Sequence, residues 1–448
     1  MERGGGEVLN TIDQLNSPSR STRLAAGKNV GAAILRGEIK NVQTDEVNNH
    51  VHTTYSFSPY HPSMAAYKAY EAGLKAVGIM DHDSVSGAEE MLAAAKSIGI
   101  ASTVGFEVRV NFTGTAVEGR KINNPDSKNI VYIAIHGIPK KRIPEAVRFL
   151  KPMNDARNKR NRAMTHALNK LLPGYGLPAL DFDRDVAAIS QAKNGGAITE
   201  RHLMCALANA MVMHSGKGDA LVRFVIEKLG LALPEKIAAH LSDASNIHYV
   251  YDLIGVLKSS FLDNVFIQPN DEECIPVRTV VDFGNHINAI PVYAYLGDVG
   301  ESPTGDKKAE HFEDSFLDEL MPELKRLGFK GITYMPPRNT REQLKRIQAL
   351  CTQYGFMEIS GVDINSSRQS FNCPIILDPE FKHLIEATWA LIAHEKLASV
   401  DERYAIFNPK NPVAEKPLAE RIALYAKVGR TMDHREPEAA MKVLKGIH

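Results

Sequence analysis

The sequence has few cysteines, and it has no long apolar run. Its four cysteines, Cys205, Cys274, Cys351 and Cys373, are far apart and form neither a Cys-X-X-Cys pair nor a disulfide framework. No apolar stretch typical of a signal peptide opens the chain, so we expect a reducing, cytoplasmic setting. No uncharged apolar run reaches the ~18 residues that a membrane span needs. We therefore expect no membrane partner.

Net charge is also absent, because 53 Lys and Arg residues balance 53 Asp and Glu residues. No overall field attracts nucleic acid, and no basic stripe with interleaved aromatic residues is visible, so we do not expect a nucleic-acid partner. The 448 residues are 44% apolar, which is enough for a large core together with an inserted subdomain. Composition leaves the oligomeric state open.

Hydrophobic periodicity divides the chain into segments. From 46 to about 137, strand-like runs alternate with helical patterns, which is typical of parallel βα units. Strand-like runs return at 288–296, 331–335 and 356–362. The predicted organisation is a helical N-terminal extension (1–44), a barrel in two parts (45–138 and 285–400), a helical insertion that caps the site (139–284) and a C-terminal extension (401–448). Within that extension, the segment 410–448 is expected to be peripheral.

Acidic and imidazole side chains follow several of the strand-like runs. His50 and His52 are two residues apart, so a strand points both imidazoles to one side. His82, Glu107 and Asp363 each end another apolar run. Because barrel folds place their chemistry at the carboxyl ends of strands, we expect these side chains to form a site for a divalent metal ion.

The stretch from His50 to Glu107 resembles the polymerase and histidinol phosphatase (PHP) domain family. The resemblance rests on His50-Val-His-Thr-Thr-Tyr-Ser56, a helix at 62–73, the Asp-His-Asp turn within Gly78–Gly87, and Gly105-Phe-Glu-Val108. It implies an α/β fold, a PHP-type distorted (β/α)7 barrel with an all-helical insertion, and metal-dependent phosphoesterase activity. It also implies that one complete metal site is kept: His50, His52, Glu107 and Asp363. His82 of the turn is a further ligand.

Four ligand positions of the family pattern carry other residues here: Phe57, Tyr132, Tyr295 and Asn365. Since a neutral phenol is a poor ligand compared with imidazole, we predict one ion per chain in place of the family's three. Two histidines could fill a vacant ligand position in space: His61 and His136. Zinc, manganese and iron(II) all suit two imidazoles with two carboxylates, so the metal stays open.

The insertion resembles that of one phosphoesterase branch of the family, in which an arginine and histidine element caps the active site. Arg201 and His202, within Gly196–Leu207, match this element, and guanidinium groups bind phosphate oxygens in pairs. Arginines in the run 157–162, including Arg162, are a second phosphate-binding candidate, although such runs are often only a solvated helix face. Lys307 and Lys308 are weaker candidates for substrate contact.

We therefore expect a metal-dependent phosphoesterase acting on a small phosphorylated metabolite or nucleotide. The predicted catalytic residues are His82, His202 and Arg201, with either histidine as general acid. The predicted substrate-binding residues are Arg201, His202, Arg162, Tyr132, Tyr295 and Asn365. The alternative is a PHP-like protein that has lost catalysis and binds a phosphorylated ligand or partner.

Overall fold

A computed structural model describes residues 9–299 and 311–433. One seven-stranded sheet has its strands in chain order, and every neighbouring pair is parallel except the two pairs that involve β4. A parallel bridge between Val51 and Ile364 joins the first and last strand regions, so the sheet nearly closes into a barrel. The strands are β1 (Val47–Val51), β2 (Ala76–His82), β3 (Ala101–Asn111), β4 (Ile130–His136), β5 (Ile290–Ala294), β6 (Gly331–Tyr334) and β7 (Met357–Ser360).

Helices surround the sheet. This arrangement is expected because strands made of continuous apolar runs must be covered on both faces. The predicted α/β barrel is therefore confirmed. The main helices are α1 (Arg20–Leu35), α2 (Pro62–Glu71), α3 (Ala88–Ile98), α4 (Ile143–Leu171), α5 (Glu200–Ser215), α6 (Asp219–Arg223), α7 (Glu235–Ser242), α8 (Tyr249–Ser260), α9 (Val277–His286), α10 (Leu317–Leu327), α11 (Arg341–Tyr354), α12 (Lys382–Val400) and α13 (Leu418–Thr431). None of the described helices is long and apolar enough to cross a membrane.

Local sequence explains where several helices begin and end. Pro62 occupies the first turn of α2, where its missing N–H costs no hydrogen bond. Thr340 and Gln343 form a reciprocal capping box at the start of α11. Gly355 ends that helix in the left-handed conformation at φ 65°, which glycine adopts without strain. β5, β6 and β7 are each shorter than the apolar runs that predict them.

The described residues form two hydrophobic cores. The main core fills the barrel and its surrounding helices, and it includes Val30 of α1 and Tyr425 of α13. The prediction that the C-terminal segment is peripheral is therefore wrong for its described part, because Tyr425 is fully buried and bonds to Asn411 and to the backbone of Tyr404. The second core lies within 164–265, and Phe57 is its one member from the barrel part of the chain.

Candidate metal centre

Strands β1, β2 and β3 bring three predicted ligands together. His82 and Glu107 are direct register partners on β2 and β3, and His50 lies near the end of β1. His50, His52 and Glu107 each place one ligand atom within 4.8 Å of the others. Glu107 faces two imidazoles, since its Oε1 is 3.8 Å from Nε2 of His50 and its Oε2 is 2.9 Å from Nδ1 of His82.

Asp363 joins this group from the segment after β7. Its Oδ1 lies 3.2 Å from the buried Nε2 of His52. Two ligands of one zinc-type ion, each about 2.0–2.2 Å from it, lie roughly 3–4 Å apart. The separations among His50, His52 and Glu107 are compatible with a divalent ion, and Asp363, outside this group, lies within ligand spacing of His52.

A buried carboxylate fixes the segment that carries His52. Asp81 accepts hydrogen bonds from the backbone N–H of Thr53 at 2.6 Å, from the Thr53 hydroxyl at 2.7 Å and from the Ser56 hydroxyl at 2.7 Å. The Ser56 oxygen lies 3.3 Å from Nδ1 of His52. Because the hydrogen of Ser56 goes to Asp81, its oxygen accepts from His52, which leaves Nε2 of His52 free to bind a metal.

Charge is divided unevenly within the centre. Burial alone would raise the pKa of Asp363, but His52, His50 and Arg201 hold it well below its usual range. Burial alone would lower the pKa of His52, yet Asp363 and Glu107 raise it above its ordinary value. Burial raises the pKa of Glu107 and lowers that of His82. The metal-free centre thus has an ionised Asp363 beside a readily protonated His52.

The other face of Asp363 contacts Asn365. The Asn365 amide nitrogen lies 2.7 Å from both carboxylate oxygens of Asp363, and its amide oxygen accepts a hydrogen bond from Nη1 of Arg201 at 2.5 Å. Arg201 is on α5, in the helical insertion. The insertion therefore reaches the metal centre through a single intervening side chain.

A buried ion-pair network holds the insertion against the barrel. Arg157 of α4 bonds to Asp83, the residue after His82, and to Glu200 of α5. Asp83 has φ 50°, and its backbone N–H bonds to the carbonyl of Glu107, so this turn is fixed from both sides. The network comprises Arg109, Arg157, Arg160, Asp83, Glu200 and Glu273. Its three positive and three negative charges balance, as buried charges require.

A family model matches the part of the chain that carries most of these residues. Residues 48–209 match the model of the PHP domain. The chain carries a PHP domain. The matched range contains four of the five predicted ligands, His50, His52, His82 and Glu107, and also the two predicted insertion residues of α5.

Three known proteins are similar to this chain. A 5'-3' exoribonuclease of Haemophilus influenzae is 31% identical over 74 residues, which is 16% of this chain and 27% of that protein. The chain thus matches about a quarter of that relative's length. Two solved structures are 18% identical, each covering 76% of this chain and 96% of its own. They are a candidate metal-dependent phosphoesterase of Bifidobacterium adolescentis (TM-score 0.49) and an amidohydrolase of Chromobacterium violaceum with bound sulfate and no metal (TM-score 0.48).

The residues that replace ligands of the PHP pattern have their own contacts. Phe57 packs edge to face on His202, with ring centroids 4.9 Å apart. The Tyr295 hydroxyl donates to Asp314 at 2.6 Å, and Tyr295 has no described contact with the metal centre. Tyr132 does lie near the centre, with its ring 5.9 Å from that of His82. Asn365 binds Asp363, as described above.

Two predicted site residues lie elsewhere. Arg162 is exposed, bonds to Asp183 at 2.9 Å and stacks over Phe182, all within the insertion. The structure therefore does not bring Arg162 to the metal centre, because it lies on the opposite side of α4 from Arg157 and Arg160. His202 is buried, and its Nδ1 accepts the backbone N–H of Thr199 at 3.0 Å. Lys307 and Lys308 lie outside the described residues.

Neither alternative histidine belongs to the group of His50, His52 and Glu107 within the described residues. His61 bonds to the Thr54 hydroxyl at 2.8 Å, and burial lowers its pKa to about 4. His136 is buried inside the barrel near His50, and burial lowers its pKa to about 3. Within the described chain, the tight ligand group is formed by His50, His52 and Glu107 without either of them.

Sequence reasoning missed the residues that support the site. Asp81 and Asp83 flank His82 in the Asp-His-Asp turn, and Glu200 directly precedes Arg201, so proximity in sequence could have indicated all three. Arg109 follows Glu107 by two residues on the same strand face. Glu273 lies in a loop far from every motif, and no sequence pattern marks it.

Proposed function

We propose that this protein is a metal-dependent phosphoesterase that uses one divalent ion to hydrolyse a small phosphorylated metabolite or nucleotide. The observation that carries the proposal is the convergence of His50, His52 and Glu107 within 4.8 Å, with Oδ1 of Asp363 3.2 Å from Nε2 of His52. Asp363 would complete the ligand set. Such an ion would acidify a coordinated water and polarise a phosphoryl oxygen.

Arg201 is the proposed phosphate-binding residue. Its Nη1 is held by Asn365, whereas its Nε and Nη2 have no hydrogen-bond partner among the described residues. The guanidinium is only partly buried and lies close enough to Asp363 to lower the pKa of that carboxyl group. A guanidinium oriented in this way can accept a phosphate group beside the metal ligands.

His82 suits proton transfer better than His202. About a quarter of the His82 side chain is exposed (26%), and its ring borders both Glu107 and Tyr132. His202 is only 2% exposed, its Nδ1 is occupied, and burial lowers its pKa to about 3. Burial lowers the pKa of both imidazoles, so access to the site, and not protonation, separates them. We therefore assign His202 a packing role through its contacts with Thr199 and Phe57.

The test combines metal analysis with a substrate panel. Purified protein is expected to bind about one Zn²⁺ or Mn²⁺ per chain, and to hydrolyse at least one ester of a panel of sugar phosphates, nucleotides and a short oligoribonucleotide. The oligoribonucleotide is included because the curated relative is named an exoribonuclease. His52→Ala should abolish both ion binding and turnover, whereas His61→Ala, in the same segment, should retain both. Absence of bound ion and of turnover on every ester would contradict the proposal.

A binding role is the second candidate, and the placement of Phe57 and Asn365 favours it. Both residues occupy ligand positions of the PHP pattern and both make structural contacts in place of metal contacts. This candidate predicts one bound ion and micromolar affinity for a phosphorylated compound, without turnover. The same panel, followed by isothermal titration with each ester and with inorganic phosphate, separates the two functions.

A further inference from the structure

Asn365 lies between a cation of the insertion and an anion of the metal centre. Its amide oxygen accepts from Arg201 at 2.5 Å, and its amide nitrogen is 2.7 Å from each carboxylate oxygen of Asp363. Arginine can only donate and an ionised carboxylate can only accept, so the orientation of the amide is fixed by its neighbours. Among residues of this size, only an amide satisfies both sides. Aspartate would face Asp363 with a second anion, and leucine would leave both groups unpaired.

The position of the Asn365 nitrogen constrains how Asp363 can bind a metal. This nitrogen is equidistant from the two oxygens of Asp363. It therefore occupies the edge of the carboxylate through which Asp363 would otherwise chelate an ion with both oxygens. The remaining approach is along Oδ1, which lies 3.2 Å from Nε2 of His52. Asn365 thus leaves Oδ1 of Asp363, beside Nε2 of His52, as the oxygen that would be available to an ion.

Arg201 is itself held in place by the insertion. The preceding residue, Glu200, is buried and bonds to Arg157 and Arg160, and Arg157 in turn bonds to Asp83 beside His82. The helix that carries Arg201 is therefore docked against the barrel by charges that are costly to separate. A displacement of this helix would remove the partner of the Asn365 oxygen.

We propose that Asn365 is a positioning residue that links docking of the helical insertion to the metal-binding geometry of Asp363. The inference rests on the proposed metal site. Residues that orient metal ligands from outside typically change metal affinity by about 10- to 100-fold when they are mutated. By thermodynamic reciprocity, an ion that requires the oriented Asp363 must also stabilise the docked insertion.

The same loop offers a matched control. Arg368, three residues after Asn365, bonds to Asp252 of α8 in the insertion at 2.5 Å and 2.7 Å. Like Arg201, it is an arginine that bonds to a residue on the other side of the boundary between the barrel and the insertion. Unlike the Arg201 contact, it has no described link to Asp363. Arg368→Met therefore weakens docking of the insertion without breaking the connection to the metal ligand.

The experiment measures Zn²⁺ affinity by competition with a chromophoric chelator, with folding checked by circular dichroism. Asn365→Leu, which is close in size, should weaken Zn²⁺ binding by about 10-fold or more. Arg201→Met should also weaken it, although removing a positive charge would by itself tighten binding of a cation. In the Asn365→Leu background, Arg201→Met should cause no further weakening, because the two residues act in series. Arg201→Lys, which keeps a donor, should fall between wild type and Arg201→Met.

Amide hydrogen exchange supplies a measurement that does not depend on the chelator. Zn²⁺ should slow exchange in α5 of the wild type and should have little effect on α5 in Asn365→Leu. Unchanged Zn²⁺ affinity in Asn365→Leu, or an equal loss in Arg368→Met and Arg201→Met, would overturn the positioning role while leaving the metal site intact. Failure of the wild type to bind Zn²⁺ or Mn²⁺ would overturn the proposed function and this inference together.

Discussion

The ring of Phe57 meets the imidazole of His202 edge to face, with ring centroids 4.9 Å apart. Phe57 comes from the segment that follows β1, yet it belongs to the hydrophobic core of the insertion. Tyr251 of α8 lies on another side of it, at a centroid distance of 5.8 Å. The PHP pattern has an acidic ligand at this position. In this chain, Phe57 instead packs the segment after β1 against the insertion.

Phe57→Ala is therefore expected to loosen the insertion more than the barrel. Truncation of a buried phenylalanine costs about 3–5 kcal/mol through lost burial and the cavity left behind. We expect faster amide hydrogen exchange in α5 and α8, measured by mass spectrometry, with little change in β1–β3. Phe371→Ala, which truncates a buried phenylalanine of the main core, is the control. Equal acceleration of α5 and α8 in the two variants would contradict the anchoring role.

Arg160 and Arg162 differ sharply in their surroundings although they are two residues apart. Arg160 is buried between Glu200 and Glu273, whereas Arg162 forms an exposed pair with Asp183. Arg160→Met should lower the free energy of unfolding by about 3 kcal/mol or more, because two buried carboxylates lose a partner. Arg162→Ala should cost less than about 1 kcal/mol. Urea denaturation measures the free energy of unfolding of both variants. A loss in Arg160→Met as small as that expected for Arg162→Ala would show that the network contributes little.

Helical geometry explains why the arginine run was only partly interpretable from sequence. Arg157 and Arg160 are three residues apart, and buried Met164 follows four residues later. At these spacings the three side chains share one face of the helix. Arg162 points away from that face. The periodicity could have separated Arg162 from the others, but it could not have shown that Glu200 and Glu273 neutralise the buried pair, since those carboxylates come from distant segments.

The clustering of the proposed ligands was predictable for a different reason. A strand alternates its side chains and a parallel barrel collects its carboxyl ends, so His50, His52, His82 and Glu107 had to approach one another once the fold was given. The role of Asn365 was not predictable in this way. Its contacts depend on Arg201, which is 164 residues away in sequence, and on where the insertion docks.

His394 should contribute to loss of stability in acid. Its Nε2 donates to the carbonyl of Gly137 at 3.0 Å, its Nδ1 accepts from Ile406, and burial lowers its pKa to about 4. The unfolded chain, with a histidine pKa of about 6.5, binds a proton that the folded protein excludes, so stability falls as pH drops from about 6.5 to about 4. In His394→Gln, the loss of stability between about pH 7 and pH 5 should be smaller by about 2 kcal/mol. Urea denaturation at the two pH values measures the difference, and an unchanged pH dependence would contradict the assignment.

Ser56→Ala tests whether the second contact of His52 sets its metal-binding nitrogen. The Ser56 hydroxyl donates to Asp81 at 2.7 Å, and its oxygen lies 3.3 Å from Nδ1 of His52. Without this oxygen, the proton of His52 can move to Nε2, the atom that faces Asp363, and it must be displaced before an ion binds. We expect Zn²⁺ affinity to fall about tenfold. Ser58→Ala is the control, because the Ser58 hydroxyl accepts only from the backbone of Tyr60 among the described contacts. Equal Zn²⁺ affinity in wild type and Ser56→Ala would show that Asp363 alone determines which nitrogen of His52 is free.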